Sequence, residues 1–305
     1  MKLYKNFNIS NNHKGSIILI GNFDGIHLGH QKLFKIARNY KRKFKLNIGV
    51  VTFEPMPKMY FNKKVKNFRI SNFNQKKKIL KDLDIDFVIT KKFDLKFSKI
   101  KSDYFINKIL NKKLNAKYIF VSNNFRFGNK REGGVKQLIK NQKTYNYKII
   151  KPEPLKIGNK IISSTIVRNF LEKGDLKKAN KFLNRNWSIE GKVQKGRQQG
   201  KKIGFPTCNI DIQDYVIAMP GVYAVRVCQN DKKKSLKAIA NLGYRPTFDQ
   251  KKILLEVHIF NFSGNLYNKY LSVEFIKFIR KEKKFNNVNQ LKIQIQRDLE
   301  AAKKS

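Results

Sequence analysis

Residues 16–30 read SIILIGNFDGIHLGH, in which a short apolar run passes directly into a glycine-rich loop. The run from Ser16 to Ile20 has the length and composition of a buried strand. The loop leads into a segment whose apolar residues share one face of a helix: Leu33, Ala37, Tyr40 and Phe44. A strand that passes through glycines into a helix brings helix N–H groups and the positive end of the helix dipole to the loop. The stretch therefore predicts an α/β unit with a phosphate seat at its first turn.

Strand and helix continue to alternate through about residue 184. Further buried strands are predicted at residues 47–53, 86–90 and 118–121. Phe105, Ile109 and Leu110 indicate another helix among them. Because such alternation implies parallel strands with right-handed crossovers, we expect a doubly wound, Rossmann-like parallel sheet in the first half. Its ligands should lie beyond the carboxyl ends of the strands.

After Trp187 the apolar period changes from that of a helix to that of a strand. Alternate residues share one face in two runs: Tyr223, Val225 and Val227, and then Leu255, Val257 and Ile259. Residues 263–265 predict a hairpin turn, and one closing helix is indicated by Val288, Leu291, Ile295 and Leu299. We therefore expect a small antiparallel β-barrel with a C-terminal helix. The change of period predicts domains of residues 1–185 and 186–305.

The formal charge of +46 first suggests nucleic acid, since clustered Lys and Arg bind phosphate backbones. Here the basic residues are spread from Lys2 to Lys304 and form no single patch, so we expect no specific nucleic-acid function. Small acidic substrates such as ATP suit this composition better. Weak, non-specific adhesion to RNA at low salt stays compatible with it.

Cys208 and Cys228 are the two cysteines, and their spacing supports neither a disulfide framework nor a zinc site. The N-terminus has no apolar leader segment, and no apolar run approaches the roughly 18 residues of a membrane span. We expect a cytoplasmic protein without a membrane partner. None of these patterns predicts an oligomeric state.

The loop after the first strand combines three glycines with two histidines. Gly21, Gly25 and Gly29 permit close approach of the backbone to a phosphate. His27 and His30 lie three residues apart on one helix face, where both can donate hydrogen bonds to a triphosphate. A second phosphate can attack in line, so no nucleophilic side chain is needed. The alternative is a pair of surface histidines at a helix start.

The pattern GNFDGIHLGH at residues 21–30 resembles the HxGH motif of nucleotidylyltransferases, in the longer form of their FAD synthetase branch. The segments at residues 121–128, VSNNFRFG, and 162–168, ISSTIVR, resemble two further blocks of that family. The resemblance implies catalysis by both histidines and nucleotide contacts from these residues: Gly21, Phe23, Asp24, Gly25, His27, His30, Asn124, Ser163, Ser164, Thr165 and Arg168.

The residues of the segment 162–168 also predict its local structure. Ser164 or Thr165 is expected to cap the following helix, with Arg168 one turn later directed at phosphate. The alternative is a capped helix with a solvated arginine. The sequence departs from the family at Ser122, which replaces a usual Gly, and at Met56, which stands where a His is common. Aromatic residues near these two positions either meet a flavin or belong to the core.

A second phosphate-binding pattern occurs in the β half. GKVQKG at residues 191–196 leads to GKKIGFPTCN at residues 200–209, a glycine-rich and basic loop ahead of a strand. Its end resembles GFPTAN of the riboflavin kinases, with Cys208 in place of Ala and Lys201 at a position that is often Arg. The resemblance implies that Thr207 and Asn209 hold Mg²⁺ with ATP, and hard oxygen ligands suit that ion. Nucleotide contacts are predicted for Gly196, Gly200, Lys201, Gly204, Thr207 and Asn209; the alternative is a Gly-Pro turn before an edge strand.

Glu256 is the candidate base for transfer of a phosphoryl group to an alcohol. It lies on the strand face opposite the apolar residues and matches the catalytic Glu of the same family. FIRKEKKF at residues 278–285 resembles the segment near the flavin, which implies flavin contacts for Arg280 as well as Glu256. The alternative for Glu256 is a solvated side chain on an alternating strand. The alternative for residues 278–285 is an ordinary run of charged residues.

The motifs together, in family order from residue 17 to residue 303, resemble bacterial bifunctional riboflavin kinase/FAD synthetases. The resemblance implies that riboflavin and ATP give FMN in the barrel, and that FMN and ATP give FAD and pyrophosphate in the first domain. Two alternatives stay open. Either the kinase alone works, or the chain is a basic RNA- or flavin-sensing regulator built on this fold.

Overall fold

The computed structural model describes residues 1–195, 200, 204–229, 235–246 and 251–305, with backbone alone at residues 245, 246, 251 and 252. The chain forms two compact units. The first contains residues 1–66 and 73–162, and the second contains residues 67–72 and 163–305. No helix in the described ranges is long and apolar enough to cross a membrane.

The first unit is built on a parallel sheet. Its strands are β1 Lys2–Tyr4, β2 Ile17–Ile20, β3 Ile48–Glu54, β4 Phe87–Lys92, β5 Tyr118–Phe120, β6 Arg126–Phe127, β7 Gly133–Gly134, β8 Lys148–Ile150, β9 Lys156–Ile157 and β10 Lys160–Ile161. Six of them pair in parallel in the order β1-β4-β3-β2-β5-β8, while β6–β7 and β9–β10 are short antiparallel pairs. The predicted doubly wound parallel sheet is confirmed.

Helices cover both faces of this sheet. They are α1 Leu28–Phe44, α2 Pro57–Phe61, α3 Phe73–Asp82, α4 Leu95–Ser98, α5 Ser102–Tyr104, α6 Val135–Lys140 and α7 Gln142–Tyr145, with 3₁₀ turns at Asn11–His13 and Asn129–Arg131. α5 continues as a π-helix, Phe105–Lys113. All four residues of β2 are buried, and alternate ones belong to different apolar clusters on the two faces. Burial on both faces explains why this strand is apolar throughout.

The second unit contains the barrel. Its elements are α8 Ser164–Glu172, α9 Leu176–Leu183, β11 Ser188–Gln194, β12 Cys208–Asp211, β13 Gly221–Gln229, β14 Ser235–Pro246, β15 Lys251–Ile259, β16 Tyr270–Lys281 and α10 Val288–Lys303. The six strands close in the antiparallel order β11-β12-β15-β14-β13-β16, which confirms the predicted barrel and its closing helix. Residues 263–265 lie within the longer connection from β15 to β16.

Residues 67–72 come from the first half of the sequence but pack within the second unit. Arg69 forms a parallel bridge with Tyr215, and the indole N–H of Trp187 donates to the carbonyl of Ile70 at 2.9 Å. No pattern in the sequence predicts this placement.

Candidate active sites

The glycine-rich loop joins β2 to α1, as predicted, and His27 is the N-cap of α1. His27 is 5% exposed, and its ring stacks on that of His30 with centroids 3.7 Å apart. Within the described residues, the buried Nδ1 of His30 has no hydrogen-bond partner. The two histidines therefore lie together at a helix N-terminus, where an anion is stabilised by backbone N–H groups and the helix dipole.

Positive neighbours and burial act together on His30. Burial lowers its pKa well below the usual 6.5, and the charges of His27 and Lys76 lower the pKa further. Lys76 is only 1% exposed; its Nζ lies 3.6 Å from a carboxylate oxygen of Glu54 and donates to Thr52 Oγ1 at 3.4 Å. His30 is consequently a neutral imidazole near pH 7, able to donate one hydrogen bond.

Residues 23–26 of the loop are buried, whereas Asn22 is exposed. The Phe23 ring packs between His30 and Phe34, with centroids 5.2 Å and 5.1 Å away. Asp24 is 3% exposed, and Gly25 has a φ of 74°, a backbone conformation that favours glycine. Phe23 and Asp24 thus form the support of the loop.

A cavity of about 690 Å³ opens in the first unit beside this loop. Gly21 and the exposed Asn124 line it, and the Ser122 hydroxyl donates to Asn124 Oδ1 at 2.9 Å. Its walls carry aromatic rings and cationic side chains: Phe53, Phe61, Phe93, Phe97, Phe105, Phe125, Phe127, Lys58, Arg126, Lys130 and Arg131. Flat, apolar surfaces and positive charge are thereby combined in one cavity.

The segment of residues 162–168 differs from its predicted local structure. Ser163, rather than Ser164 or Thr165, is the N-cap of α8, and its hydroxyl accepts a hydrogen bond from the N–H of Ile166 at 3.3 Å. The prediction of the cap was wrong by one or two residues because all three side chains have the capping oxygen and the sequence alone leaves the helix start unresolved. Ser163 to Arg168 group with the second compact unit, whereas the histidines lie in the first.

Arg168 is buried within the second unit. Its Nε donates to the Phe68 carbonyl at 2.7 Å, and its guanidinium lies 3.6 Å from the centroid of the Phe68 ring. These contacts show that Arg168 is packed, so the alternative of a solvated arginine after a capped helix is wrong.

The barrel brings most of its predicted site residues to one cavity of about 610 Å³. The predicted residues that line it are Gly200, Thr207, Asn209, Glu256 and Arg280. Glu256 is half-buried, while its neighbours Leu255 and Val257 point into the core, as the alternation predicted. Gly204 is exposed with a φ of 93°. Gly196 and Lys201 lie outside the described residues.

Asn209 is 6% exposed and pairs with Glu256 across β12 and β15. In the part of the barrel that the structure describes, no group donates a hydrogen bond to Asn209 Oδ1. A buried carbonyl oxygen that accepts no hydrogen bond lowers the stability of the fold unless a ligand binds to it. Asn209 and Thr207 line the same cavity, and oxygen ligands of this kind fit a hard cation such as Mg²⁺.

Arg280 is held by the C-terminal helix. Its Nε and Nη2 donate to the two carboxylate oxygens of Asp298 at 2.9 Å and 2.7 Å. Asp298 is 4% exposed and also accepts a hydrogen bond from Gln294 at 2.9 Å. The bidentate pair orients the guanidinium at the cavity wall.

A second barrel cavity, of about 380 Å³, adjoins the first at Thr207, which lines both. Its other walls include Pro206, Cys208, Phe262 and Tyr267. Thr207 thus stands between a cavity with an aromatic wall and a cavity that contains Glu256.

Two family models match the chain in the order of these sites. The first, described as FAD synthetase, matches residues 9–166, and the second, described as riboflavin kinase, matches residues 183–305. The bifunctional riboflavin kinase/FMN adenylyltransferase of Buchnera aphidicola subsp. Schizaphis graminum is 39% identical, over 100% of this chain and 98% of its own length. The chain belongs to this bifunctional family. Its first domain is an FMN adenylyltransferase, or FAD synthetase, and its second is a riboflavin kinase.

Other relatives agree over most of the length. The protein of the same name from Escherichia coli strain K12 is 35% identical, over 93% of this chain and 91% of its own. A crystal structure described as a macrolide-efflux protein from Streptococcus pneumoniae has a TM-score of 0.85 and 29% identity, covering 99% of this chain and 98% of its own.

Three departures from the family pattern have definite places in the structure. Ser122 lines the 690 Å³ cavity beside Asn124, whereas Met56 is 2% exposed and serves as the N-cap of α2. Cys208 lines the smaller barrel cavity, and burial raises the pKa of its thiol to about 11. A thiol with this pKa is protonated and a poor nucleophile near neutral pH.

Sequence reasoning missed several residues at both sites. It assigned no role to Lys76, Asn241 or Asp298, nor to most of the aromatic wall in the first unit. Lys76 lies on the buried side of α3, a position that is unusual for a charged residue. The other residues are separated along the chain and come together only through the fold.

Proposed function

We propose that the two cavities carry the two reactions of the family at separate sites, with the residues named below in each. The observation that carries the proposal is the gathering of Thr207, Asn209 and Glu256 in one barrel cavity, while the loop that carries the stacked histidines contributes Gly21 and Asn22 to another cavity in the first unit. The functional domains are residues 1–185 and 186–305, and the protein acts in the cytoplasm on small molecules.

The cavity of the first unit is the FMN site. FMN combines a flat tricyclic ring with a phosphate, and the cavity combines aromatic walls with cations such as Lys58 and Arg131. Ring stacking favours offset or edge contacts of the type that Phe125 and Phe127 already make, with centroids 5.6 Å apart. Asn124 and Ser122 supply hydrogen bonds at the rim.

Adenylyl transfer at this site depends on positioning and charge. A phosphate oxygen of FMN attacks the α-phosphorus of ATP, the bond to the bridging oxygen breaks, and pyrophosphate leaves with the electron pair. His27 and His30 donate hydrogen bonds to the phosphates, and Lys76 adds a fixed positive charge beneath them. The glycines of the loop let the backbone approach the triphosphate.

Phosphoryl transfer in the barrel uses Glu256 as the base. The terminal hydroxyl of the riboflavin side chain attacks the γ-phosphorus of ATP, its proton passes to Glu256, and ADP leaves. Thr207 and Asn209 would hold Mg²⁺, which supplies charge neutralisation on the phosphates. The cavity at Cys208 and Phe262 takes the base of the nucleotide, and the cavity at Glu256 and Arg280 takes the flavin. Thr207, which lines both cavities, then lies where the phosphates pass between them.

Incubation of the chain with riboflavin, ATP and Mg²⁺, followed by chromatography of the products over time, tests the assignment. We expect FMN to appear first and FAD to follow. Accumulation of FMN without FAD would support the alternative in which the kinase alone works. No FMN at all would contradict the proposal for the barrel.

The alternative of an RNA-binding regulator is tested by titration with salt. Non-specific adhesion to phosphate backbones weakens with salt to the same degree for every sequence, whereas a specific site discriminates among sequences by about 1–3 kcal/mol per base pair changed. We expect no discrimination among RNAs of equal length.

A further inference from the structure

A row of side chains crosses five neighbouring barrel strands at one level. Asn209 of β12 pairs with Glu256 of β15, and Glu256 pairs with Asn241 of β14. Asn241 in turn pairs with Val222 of β13, and Val222 pairs with Arg280 of β16. Paired residues of adjacent strands have their side chains on the same face. All five line the 610 Å³ cavity, so the row is continuous along its wall.

The chemistry of this row changes along its length. It begins at Asn209, and Thr207, two residues before it, borders both barrel cavities. Beyond Asn241 it passes Val222, which belongs to an apolar cluster with Leu299 of α10, and it ends at Arg280, which Asp298 holds. The part at Thr207 and Asn209 suits phosphates and a cation, and the part at Val222 suits a flat ring. An acceptor that reacts at Glu256 therefore extends along the row toward Val222.

Asn241 is the next side chain along that direction. It is half-buried in the middle of a strand, between Ala240 and Leu242, which are 1% and 0% exposed. Asn is disfavoured in strands, and its amide gains nothing from an apolar wall. Adjacent strands are about 4.8 Å apart, a distance that an extended carbon chain covers in about four bonds, so one short chain can contact both Asn241 and Glu256.

We propose that Asn241 is a specificity-determining residue of the kinase, whose amide hydrogen-bonds a secondary hydroxyl of the polyol chain of the acceptor. This inference rests on the proposed function of the barrel. The polyol carries hydroxyls on consecutive carbons next to the one that is phosphorylated. An amide both donates and accepts, which matches a hydroxyl group. Glu256 and Asn241 then contact two different hydroxyls of one chain.

The test compares N241L, which is similar in size but has no hydrogen-bonding group, with the unchanged chain. FMN formation is measured with riboflavin and with three analogues, each lacking one secondary hydroxyl. We expect N241L to lower kcat/KM for riboflavin by about tenfold, the effect of one lost hydrogen bond with a buried partner. The KM for ATP should stay the same.

The analogues separate recognition from a structural role. For one of the three, the unchanged chain should discriminate by about tenfold, and N241L should discriminate by less than about twofold. The control is adenylylation of supplied FMN by the same variant, which should be unaffected. N241A, which adds no bulk, is the second variant and should give the same pattern if N241L folds poorly.

The inference is overturned if both variants keep the full discrimination for all three analogues, or if kcat/KM for riboflavin changes by less than about twofold. An equal loss for riboflavin and every analogue, with a raised KM for ATP, also overturns it because that pattern belongs to a damaged barrel. The unchanged chain distinguishes the two proposals: FMN formation by it upholds the function of the barrel whatever the variants do.

Discussion

His27 and His30 show how burial selects the chemistry of a side chain. Two imidazoles stacked 3.7 Å apart, with the buried Lys76 nearby, form a positive surrounding in which a further proton on His30 is disfavoured. In the proposed adenylyltransferase site, His30 would therefore contribute a directed hydrogen bond to the triphosphate and not a positive charge.

The lowered pKa of His30 has a consequence for stability. The unfolded chain binds this proton near the ordinary pKa of 6.5, and the folded chain binds it only at lower pH. Stability from the neutral ring is thus present above pH 6.5 and is lost as the pH falls toward the folded pKa. We expect the free energy of unfolding of the first unit to fall from about pH 7 to about pH 5. Denaturant titrations at several pH values should show a smaller fall in the free energy of unfolding for H30Q than for the unchanged chain. An equal fall in both proteins would contradict the lowered pKa of His30.

Glu256 allows a matched test within one barrel. E256Q removes the proton acceptor, so the rate of FMN formation should fall by about 10²- to 10⁴-fold. The control is E274Q, the same change at a half-buried Glu of β16, which should leave the rate within about twofold. A similar loss in both variants would show that charge, and not the position of Glu256, sets the rate.

At the scale of elements, a capping residue can be tested independently of nucleotide binding. S163A removes the hydroxyl that accepts from the Ile166 N–H and should destabilise the second unit by about 1 kcal/mol. S164A changes the first helical residue and should cost less than about 0.5 kcal/mol. Denaturant unfolding followed by far-UV circular dichroism measures both. A larger loss in S164A would contradict the placement of the cap.

The sequence predicts strands and helices well where the spacing of their apolar residues is uniform. β2 is buried on both faces, and burial alternates in β15 from Leu255 to Ile259, so the exposure of both segments was predicted correctly. The cap of α8 was misplaced because three adjacent side chains carry the same capping oxygen. The π-helix after α5 has the apolar positions of an ordinary helix, which conceal its wider turn.

The residues of the sites were predictable to the extent that they lie in contiguous motifs. His27, His30, Thr207 and Asn209 could be proposed from the sequence because each belongs to a short pattern with a chemical reason. Asp298 could not be found in this way, since its pairing with Arg280 depends on how α10 packs against the barrel. Asn241 becomes significant only through the strand register.

At the scale of the molecule, the chain has two compact units, each with its own core and its own candidate site. Residues 67–72, which belong to the second unit, show that the units are not contiguous in sequence. Family models for the two activities nevertheless match successive parts of the chain. The central claim is that the two reactions use separate sites and share FMN as a diffusible intermediate.

Complementation between two inactive chains tests this claim most directly. The H27A/H30A chain should form FMN from riboflavin but no FAD, whereas E256Q should form FMN only at its greatly reduced rate and should still convert supplied FMN to FAD. Incubated together with riboflavin, ATP and Mg²⁺, the two variants should produce FAD much faster than either does alone. If the mixture forms no FAD, or if either variant alone loses both reactions, the account of two separate sites is wrong.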